Sequence, residues 1–398
     1  MPTLLQINST ANWGSTGKIA EQIGARAMQR GWESYIAYGR SCNASKSKLI
    51  KIGSKLGVYW HVLESRLFDN HGLASRYATR KLIKQIENIK PDIIHLHNIH
   101  GYYLNYKILF EYFNKIDTPV VWTLHDCWSF TGHCAHFIDF GCYKWKVQCS
   151  NCPKHQVYPT AYFDAAQRNY NIKRKLFCSK PNIHIVPVSA WLDNFVNDSF
   201  ISNKDRVIIH NGIDTDIFKP SVKTENKLFN IIGVSSVWTN SKGLKDFFEL
   251  RKKLDKDQYK ITLVGLSKEQ KEQLPEGIEG ILRTNSAKEL AELYSNADVF
   301  INPTYADTFP TTNLEAIACG TPVITYRTGG SPESVTEATG YVVEQGDLDG
   351  IIDAINEIRV NGKEHYSAAC RKYAEEHFNK DICFDKYINL YEKLIKNR

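Results

Sequence analysis

The chain has 398 residues, enough for two or three domains at roughly 150 residues each. Hydrophobic residues make up 42% and charged residues 23%, which excludes a disordered or low-complexity chain. The net charge of +7 is uneven: residues 1–205 hold 25 Lys+Arg against 14 Asp+Glu, and residues 206–398 hold 25 against 29. A basic half favours nucleic acid, an anionic membrane or phosphate-bearing ligands, and a solvated surface reads the same from charge alone.

No apolar run reaches 18 residues, so no membrane-spanning helix is expected. The start, MPTLLQINSTANWG, lacks the basic and apolar regions of a secretory signal. The expected location is the cytoplasm, where ten cysteines read as free thiols or metal ligands.

In chain order, TLLQIN (3–8) reads as a strand and residues 17–31 as a helix with Ile19, Ile23 and Ala27 on one face, stopped by Gly31. A second strand follows at 32–39, then a long polar stretch, a helix near 76–89 and strands at 92–97, 119–125 and 183–189. HNGIDTDIFKP (210–220) is turn-rich, and a linker is expected near 205–225. The rhythm restarts with strands at 228–236, 259–265, 297–304, 321–326 and 340–345. Helices around 244–255, 287–296, 312–319 and 348–360 lie between and after them, and the last 35 residues are helix-rich. Strand–helix alternation of this kind predicts parallel sheets covered on both faces. The expected organisation is an N-terminal domain over 1–205, a C-terminal domain over 206–380 and a terminal helix over 381–398 that packs back on the first domain. Ligands collect at the carboxyl ends of such sheets, and with two sheets the natural site is the cleft that they face.

The stretch PTYADTFPTTNLEAIACGTPVI (303–324) carries the most information. A strand ends at Pro303, Asp307 stands on the next loop, and a helix starting near Thr311–Thr312 carries Glu315 about one turn in. A helix N-terminus offers unpaired N–H groups and a positive dipole end to a diphosphate, with Glu315 beside it for ribose hydroxyls. Phe309 and Pro310 shape the turn. Alone, the Asp–Glu pair reads more readily as an N-cap acid plus a surface glutamate.

Further motifs add weight. The run Leu314-Glu315-Ala316-Ile317-Ala318-Cys319-Gly320-Thr321-Pro322-Val323, after an acid eight positions before Glu315, resembles the signature of retaining GT-B glycosyltransferases of family 4. His210-Asn211-Gly212-Ile213-Asp214, Ser241-Lys242-Gly243, Ala297-Asp298-Val299-Phe300 and Gly329-Gly330-Ser331-Pro332-Glu333 are similar to other motifs of that family, in order. The resemblance implies an α/β fold of GT-B architecture, with two Rossmann-like parallel-sheet domains facing a central cleft. It implies a sugar-proximal role for Asp307, which replaces the family's usual Glu, a ribose role for Glu315 and neutralisation of the leaving diphosphate by Lys242. Thr311, Thr312 and Asn313 open the helix beside the diphosphate. The family's Arg before this Lys is missing; Arg283 or Arg327 is the expected substitute. In the first half, Gly14 and Gly17, in Trp13-Gly14-Ser15-Thr16-Gly17, would let backbone N–H groups approach a phosphate or the acceptor. A plain tight turn reads the same locally. His125 ends a strand where the family places a His on the donor sugar. His95 and His97 share a strand face, as packed residues or as a metal pair.

The resemblance implies a retaining hexosyl transfer from a UDP- or GDP-sugar to a saccharide or polyprenyl-diphosphate-linked acceptor in lipopolysaccharide or capsule synthesis. Other readings are a nucleotide-sugar epimerase of the same fold and a non-catalytic sugar-nucleotide binder. Nucleic acid is not an expected partner, because the acidic second half would have no role. Lys173-Arg174-Lys175 suggests peripheral contact with the inner face of the plasma membrane. No cofactor is expected for catalysis. Cys134, Cys142, Cys149 and Cys152, within an insertion over about 127–158, are expected either as structural zinc ligands in a loop with little core or as free thiols.

Overall fold

The computed structural model describes residues 1–221 and 227–397, so part of the linker expected near 205–225 lies outside the described residues. Contacts divide the chain into two units: Met1–His210 with the residues from Phe384 onward, and Asn211–Cys383.

The first unit contains, in order, β1 (Thr3–Asn8), α1 (Gly14–Gln29), β2 (Glu33–Tyr38), β3 (Lys48–Lys51), α2 (Lys55–Phe68), α3 (Arg76–Ile89), β4 (Ile93–Leu96), α4 (Tyr106–Phe113), β5 (Val120–Leu124), α5 (Ala166–Ser179), β6 (Ile183–Pro187), α6 (Ala190–Asn197) and β7 (Asp205–Arg206). Its sheet is parallel with order β3-β2-β1-β4-β5-β6-β7. β4 and β5 are buried throughout, which is why they read as continuous apolar runs. The sequence reading omits β3, β7, α2, α4, α5 and α6. β7 has two residues and three of the four in β3 are exposed, so neither shows an apolar run.

The second unit contains β8 (Phe229–Val234), α7 (Leu244–Lys253), β9 (Tyr259–Val264), α8 (Lys268–Glu272), β10 (Ile278–Ile281), α9 (Ala287–Asn296), β11 (Val299–Asn302), α10 (Thr311–Ala318), β12 (Val323–Tyr326), β13 (Gly340–Val343), α11 (Leu348–Asn361), α12 (Lys363–His377) and the start of α13 (Lys380–Lys396). The parallel order is β10-β9-β8-β11-β12-β13. From Phe384 on, α13 belongs to the first unit, where Arg26 pairs with Asp385 and the Tyr391 hydroxyl meets His95 at 2.6 Å.

Strand order reverses once in each sheet, at β1/β4 and at β8/β11. Loops leaving neighbouring strands in opposite directions open a crevice at their carboxyl ends. In the second unit those loops carry Lys242 and Asp307. In the first they carry Gly14 and His97, with His125 just past the end of the next strand, β5.

The insertion differs from its expectation. Phe130, Phe137 and Trp145 are almost fully buried and pack together, with Trp145 ring centroids 4.9 Å from Phe130 and 5.1 Å from Phe137. The segment therefore has an aromatic core of its own. Its four cysteines carry free thiols, and electrostatic interactions link every pair of them. Among the described residues no three His, Cys, Asp or Glu side chains are grouped to hold a metal ion.

Lys173 is not a surface cation. It is 1% exposed; its ammonium donates to Trp128 O at 2.6 Å and Thr131 O at 2.9 Å and lies 3.4 Å from the Trp128 ring centre. Burial lowers its pKa to about 7. Its neighbours Arg174 and Lys175 are exposed, so the basic triplet splits between interior and surface. Lys173→Met orphans two carbonyls that now accept hydrogen bonds. We expect urea unfolding to show a loss of about 2–4 kcal/mol, against less than about 0.5 for Lys175→Met. Equal losses would contradict the burial of Lys173.

Candidate functional site

The second unit brings the expected acids and lysine to one place. Lys242 ends a one-turn 3-10 helix after β8 (Asn240–Lys242), and its ammonium meets Asp307 Oδ2 at 2.6 Å. It also donates to Ala306 O at 3.3 Å and Thr304 Oγ1 at 3.5 Å. The pair joins the β8–α7 loop to the β11–α10 loop across the switch point, with side-chain exposures of 32% and 23%.

The Asp307 loop is held from behind. Gly330 N–H donates to Asp307 O, and Gly329 has φ +59°, where an added Cβ would lie 1.7 Å from that same oxygen. Only glycine lets the backbone approach so closely, which gives the Gly-Gly-x-Pro-Glu motif a physical reason. Phe309 N–H donates to Asp307 Oδ1 at 3.3 Å.

α10 begins at Thr311 after Pro310, with no side-chain cap and no acid in its first turn. Its opening N–H groups thus lack side-chain competitors for an anion. Thr311, Thr312 and Glu315 are partly exposed. Glu315 Oε2 accepts from the Tyr294 hydroxyl at 3.2 Å, a partner that the sequence reading did not identify.

Other expected donor residues face inward. Phe309 is 2% exposed and packs edge-on against Phe378, while its carbonyl accepts from Asn211 Nδ2 at 3.1 Å. Pro310 is buried beside it. Asn313 is fully buried: its Oδ1 accepts from Asn302 Nδ2 at 2.7 Å, its Nδ2 donates to Ser334 Oγ at 2.9 Å, and its N–H donates to Pro310 O. It clamps the turn, and its side chain and N–H are already engaged. Arg327 pairs with Glu344 at 2.6 Å. Arg283 stands exposed beyond the edge strand β10, two strands from β8, and does not bond Lys242 or Asp307. In the described residues neither arginine reaches the Lys242–Asp307 pair.

The linker motif is also structural. Asp214 pairs with Lys380, and Ile213 bridges Asn379, so the motif grips the start of α13. Asp298 Oδ2 accepts from Asn230 N–H at 2.7 Å and ties β11 to β8.

In the first unit Gly14 opens α1 at φ +65° with nothing within 4 Å of an added Cβ. Gly17 is different: an added Cβ would lie 2.6 Å from Thr10 Oγ1, so its smallness serves packing.

The histidines form a directed chain. Gln6 Nε2 donates to Ala20 O at 2.7 Å, which leaves Gln6 Oε1 as the acceptor facing His97 Nε2 at 3.0 Å. His97 therefore carries its proton on Nε2. Burial holds its pKa well below the usual value, so the ring is neutral and Nδ1 is bare. His97 Nδ1 lies 3.1 Å from His125 Nε2, which must then be the donor. His125 is itself neutral, with burial lowering its pKa to about 4. The chain fixes the tautomer of His125 and makes its Nδ1 an acceptor. His95, its ring 4.1 Å from that of His97 and tilted by 38°, bonds Thr123 and Tyr391. His95 and His97 thus use both ring nitrogens in side-chain hydrogen bonds, as packed residues do. Gln6 is the residue that sequence reasoning missed. The signal was there: an amide in the middle of an apolar strand, in register with His95 on β4. Beside this chain His100 Nε2 meets Asp126 Oδ2 at 2.8 Å.

Comparison with known proteins agrees with this geometry. The family model for glycosyl transferases group 1 matches residues 214–377, and that for glycosyltransferase family 4 matches residues 17–217, just over half of the chain. A putative colanic acid biosynthesis glycosyl transferase, WcaC of Escherichia coli K12, is 30% identical over 53% of this chain and 54% of its own length. The Campylobacter jejuni N,N'-diacetylbacillosaminyl-diphospho-undecaprenol alpha-1,3-N-acetylgalactosaminyltransferase is 26% identical over 46% of this chain and 49% of its own length. The chain thus spans about half the length of these two relatives. Among solved structures, sucrose-phosphate synthase of Thermosynechococcus elongatus superposes with TM-score 0.73 at 15% identity, covering all of both chains. Anabaena HepE in complex with UDP-glucose superposes with TM-score 0.64 at 15% identity over 98% of this chain and 99% of its own. At such identity these two show the fold, a GT-B pair of Rossmann-like units. With both halves matched in order and the signature loops placed at the switch points, the chain belongs to glycosyltransferase family 4.

Proposed function

We propose that the chain is a retaining glycosyltransferase that moves a hexosyl group from a UDP- or GDP-sugar to a saccharide or lipid-linked saccharide acceptor in cell-surface polysaccharide synthesis. The observation that carries this reading is the meeting of Lys242, Asp307 and the uncapped start of α10 at one switch point. A diphosphate placed there gains a cation, two N–H donors and a helix dipole. It would take Lys242 from Asp307, leaving that carboxylate beside the sugar. Glu315, one turn along α10, faces the ribose hydroxyls.

In the proposed step the bond from the anomeric carbon to the phosphate oxygen breaks, and its electron pair leaves with the nucleoside diphosphate. The acceptor oxygen bonds the same face of that carbon, and its proton passes to the departing phosphate oxygen. Positive charge on the sugar is stabilised by Asp307, and no residue is a covalent nucleophile. His125 Nδ1 matches a sugar hydroxyl as donor. Lys242 and the helix start supply the positive charge, so the proposal assigns catalysis no metal. The relatives' names support the setting: one belongs to colanic acid synthesis, another names a diphospho-undecaprenol acceptor, and HepE is complexed with UDP-glucose.

A thermal-shift panel of UDP-, GDP-, ADP- and dTDP-sugars identifies the donor, and proton NMR of the product reports its anomeric configuration. Retention supports the reading; inversion, or donor conversion without acceptor, overturns it. Glu315→Gln is expected to weaken nucleoside diphosphate binding about 10- to 100-fold, the range for hydrogen bonds to a charged group. Calorimetry with the matching dideoxynucleotide is the control, since the variant should no longer distinguish the two. Unchanged discrimination would remove Glu315 from the ribose.

A further inference from the structure

In the first unit, α2 carries an apolar face that none of the described residues covers. The helix is anchored through its buried residues His61 and Ser65. On the opposite side Leu56, Tyr59, Trp60 and Leu63 recur at i, i+3, i+4 and i+7 and are 80%, 72%, 61% and 45% exposed. A surface helix ordinarily turns polar residues outward at that spacing. Phe68, 54% exposed, ends the helix, and Tyr162 and Phe163 hang beside it, because Tyr162 N–H donates to Arg66 O at 2.7 Å. Large apolar patches of this kind mark interaction surfaces.

The rim of this face is cationic. Residues 41–90 hold ten Lys+Arg against three Asp+Glu, and one of the three acids, Asp69, is buried against His133. Lys55 and Arg66 lie on α2, and Arg76, Arg80, Lys81 and Lys84 on α3, all exposed. The beginnings of the two helices adjoin, since an added Cβ on Gly53 would lie 3.2 Å from that of Ala78. The indole N–H of Trp60 donates to Glu64 Oε1 at 2.7 Å, so its ring can leave water without orphaning that donor.

We propose that α2 and the start of α3 seat this chain on an anionic lipid bilayer, with Leu56, Tyr59, Trp60 and Leu63 entering the interface and the surrounding lysines and arginines facing lipid phosphates. Two features favour a bilayer over a protein partner. The apolar row runs along one exposed face of the helix, as in helices that lie in an interface plane, and Trp and Tyr suit the headgroup level. Seven of the ten cations over residues 41–90 are lysines, which protein interfaces disfavour. This places membrane contact on α2 and α3, away from the triplet at 173–175. The buried side of α2 leads toward His125: His61 Nε2 accepts from Gly72 N–H, and the neighbouring His71 ring lies 5.5 Å from that of His100, which bonds Asp126. An acceptor lipid held at this surface would arrive beside the histidine chain.

The inference goes beyond the transfer reading and is scored without donor, so either stands if the other fails. The test is co-sedimentation of the whole chain with phosphatidylcholine vesicles and with vesicles containing phosphatidylglycerol. We expect binding at least about 10-fold stronger to the anionic vesicles, falling with salt. Leu56→Ser/Trp60→Ser should lose most of that binding with unchanged thermal unfolding, and Trp60→Phe should keep it. Absence of wild-type binding, or a double variant that binds as wild type does, overturns the proposal. A dimer in equilibrium sedimentation that the double variant dissociates, without vesicle binding, assigns the face to a second copy and also overturns it.

Discussion

Lys242→Ala should lower kcat/KM for sugar transfer about 100- to 1,000-fold, the usual cost of removing one donor to a developing anion. The loss should fall mainly on kcat, because the charge on the phosphate oxygen grows as the glycosidic bond breaks. Lys242 and Asp307 are both partly exposed, so the unpaired carboxylate is solvated and thermal unfolding should move little. Asp307→Asn tests the other half of the pair. It frees the lysine while removing the carboxylate from the sugar, so nucleotide binding should hold or tighten while turnover falls. If Lys242→Ala turns over at the wild-type rate, the ammonium is not at the leaving group. If both variants unfold, their effects on rate cannot be assigned to the site, and Lys242→Gln, which keeps a donor, becomes the informative variant.

The second large effect concerns acid. Burial holds His61 and His125 at about 4 and His71, His95 and His97 well below the ordinary value, all in the first unit. In the unfolded chain each binds a proton near pH 6.5. Below that pH the unfolded state holds more protons than the folded one, so stability falls as pH falls and is fully present only above 6.5. Each histidine loses roughly 1.4 kcal/mol between pH 7.5 and 5.5, and five together lose several, comparable with the stability of a whole domain. Asp126, held at about 2, adds its own loss only at lower pH. The melting temperature of the first unit should therefore drop by more than about 10 °C over that interval. His95→Gln, which keeps a donor and an acceptor, should flatten the slope by about one proton. A melting temperature constant within about 3 °C would mean that these rings ionise in the folded state.

The second unit was the more legible half. Its central strands β11 and β12 are buried throughout, its turns carry Gly and Pro, and the expected start of the site helix near Thr311–Thr312 agrees with the observed start at Thr311, whereas the alternately buried β10 and the five-residue α8 were missed. Spacing alone could not tell which members of a motif face solvent. Asp307, Thr311, Thr312 and Glu315 are partly exposed, while Phe309, Pro310 and Asn313 in the same stretch are consumed by packing. That distinction depends on Phe378, Ser334 and Asn302, which approach from other elements. Lys173 was misread for a related reason: a lysine in a basic run looks like a surface cation until the partners that demand it, the Trp128 and Thr131 carbonyls, are seen, and the packing of Gly17 on Thr10 is equally invisible in the sequence. α2 was hidden because it inverts the usual pattern: its buried residues, His61 and Ser65, are polar, and its large apolar residues face solvent.

The most direct test is a crystal structure of the chain with the nucleoside diphosphate that the thermal-shift panel selects. The account expects a phosphate oxygen within about 3.2 Å of Lys242 Nζ and of a Thr311 or Thr312 N–H, with the ribose on Glu315. A diphosphate bound elsewhere, with Lys242 still on Asp307 and no anion at the start of α10, would contradict it.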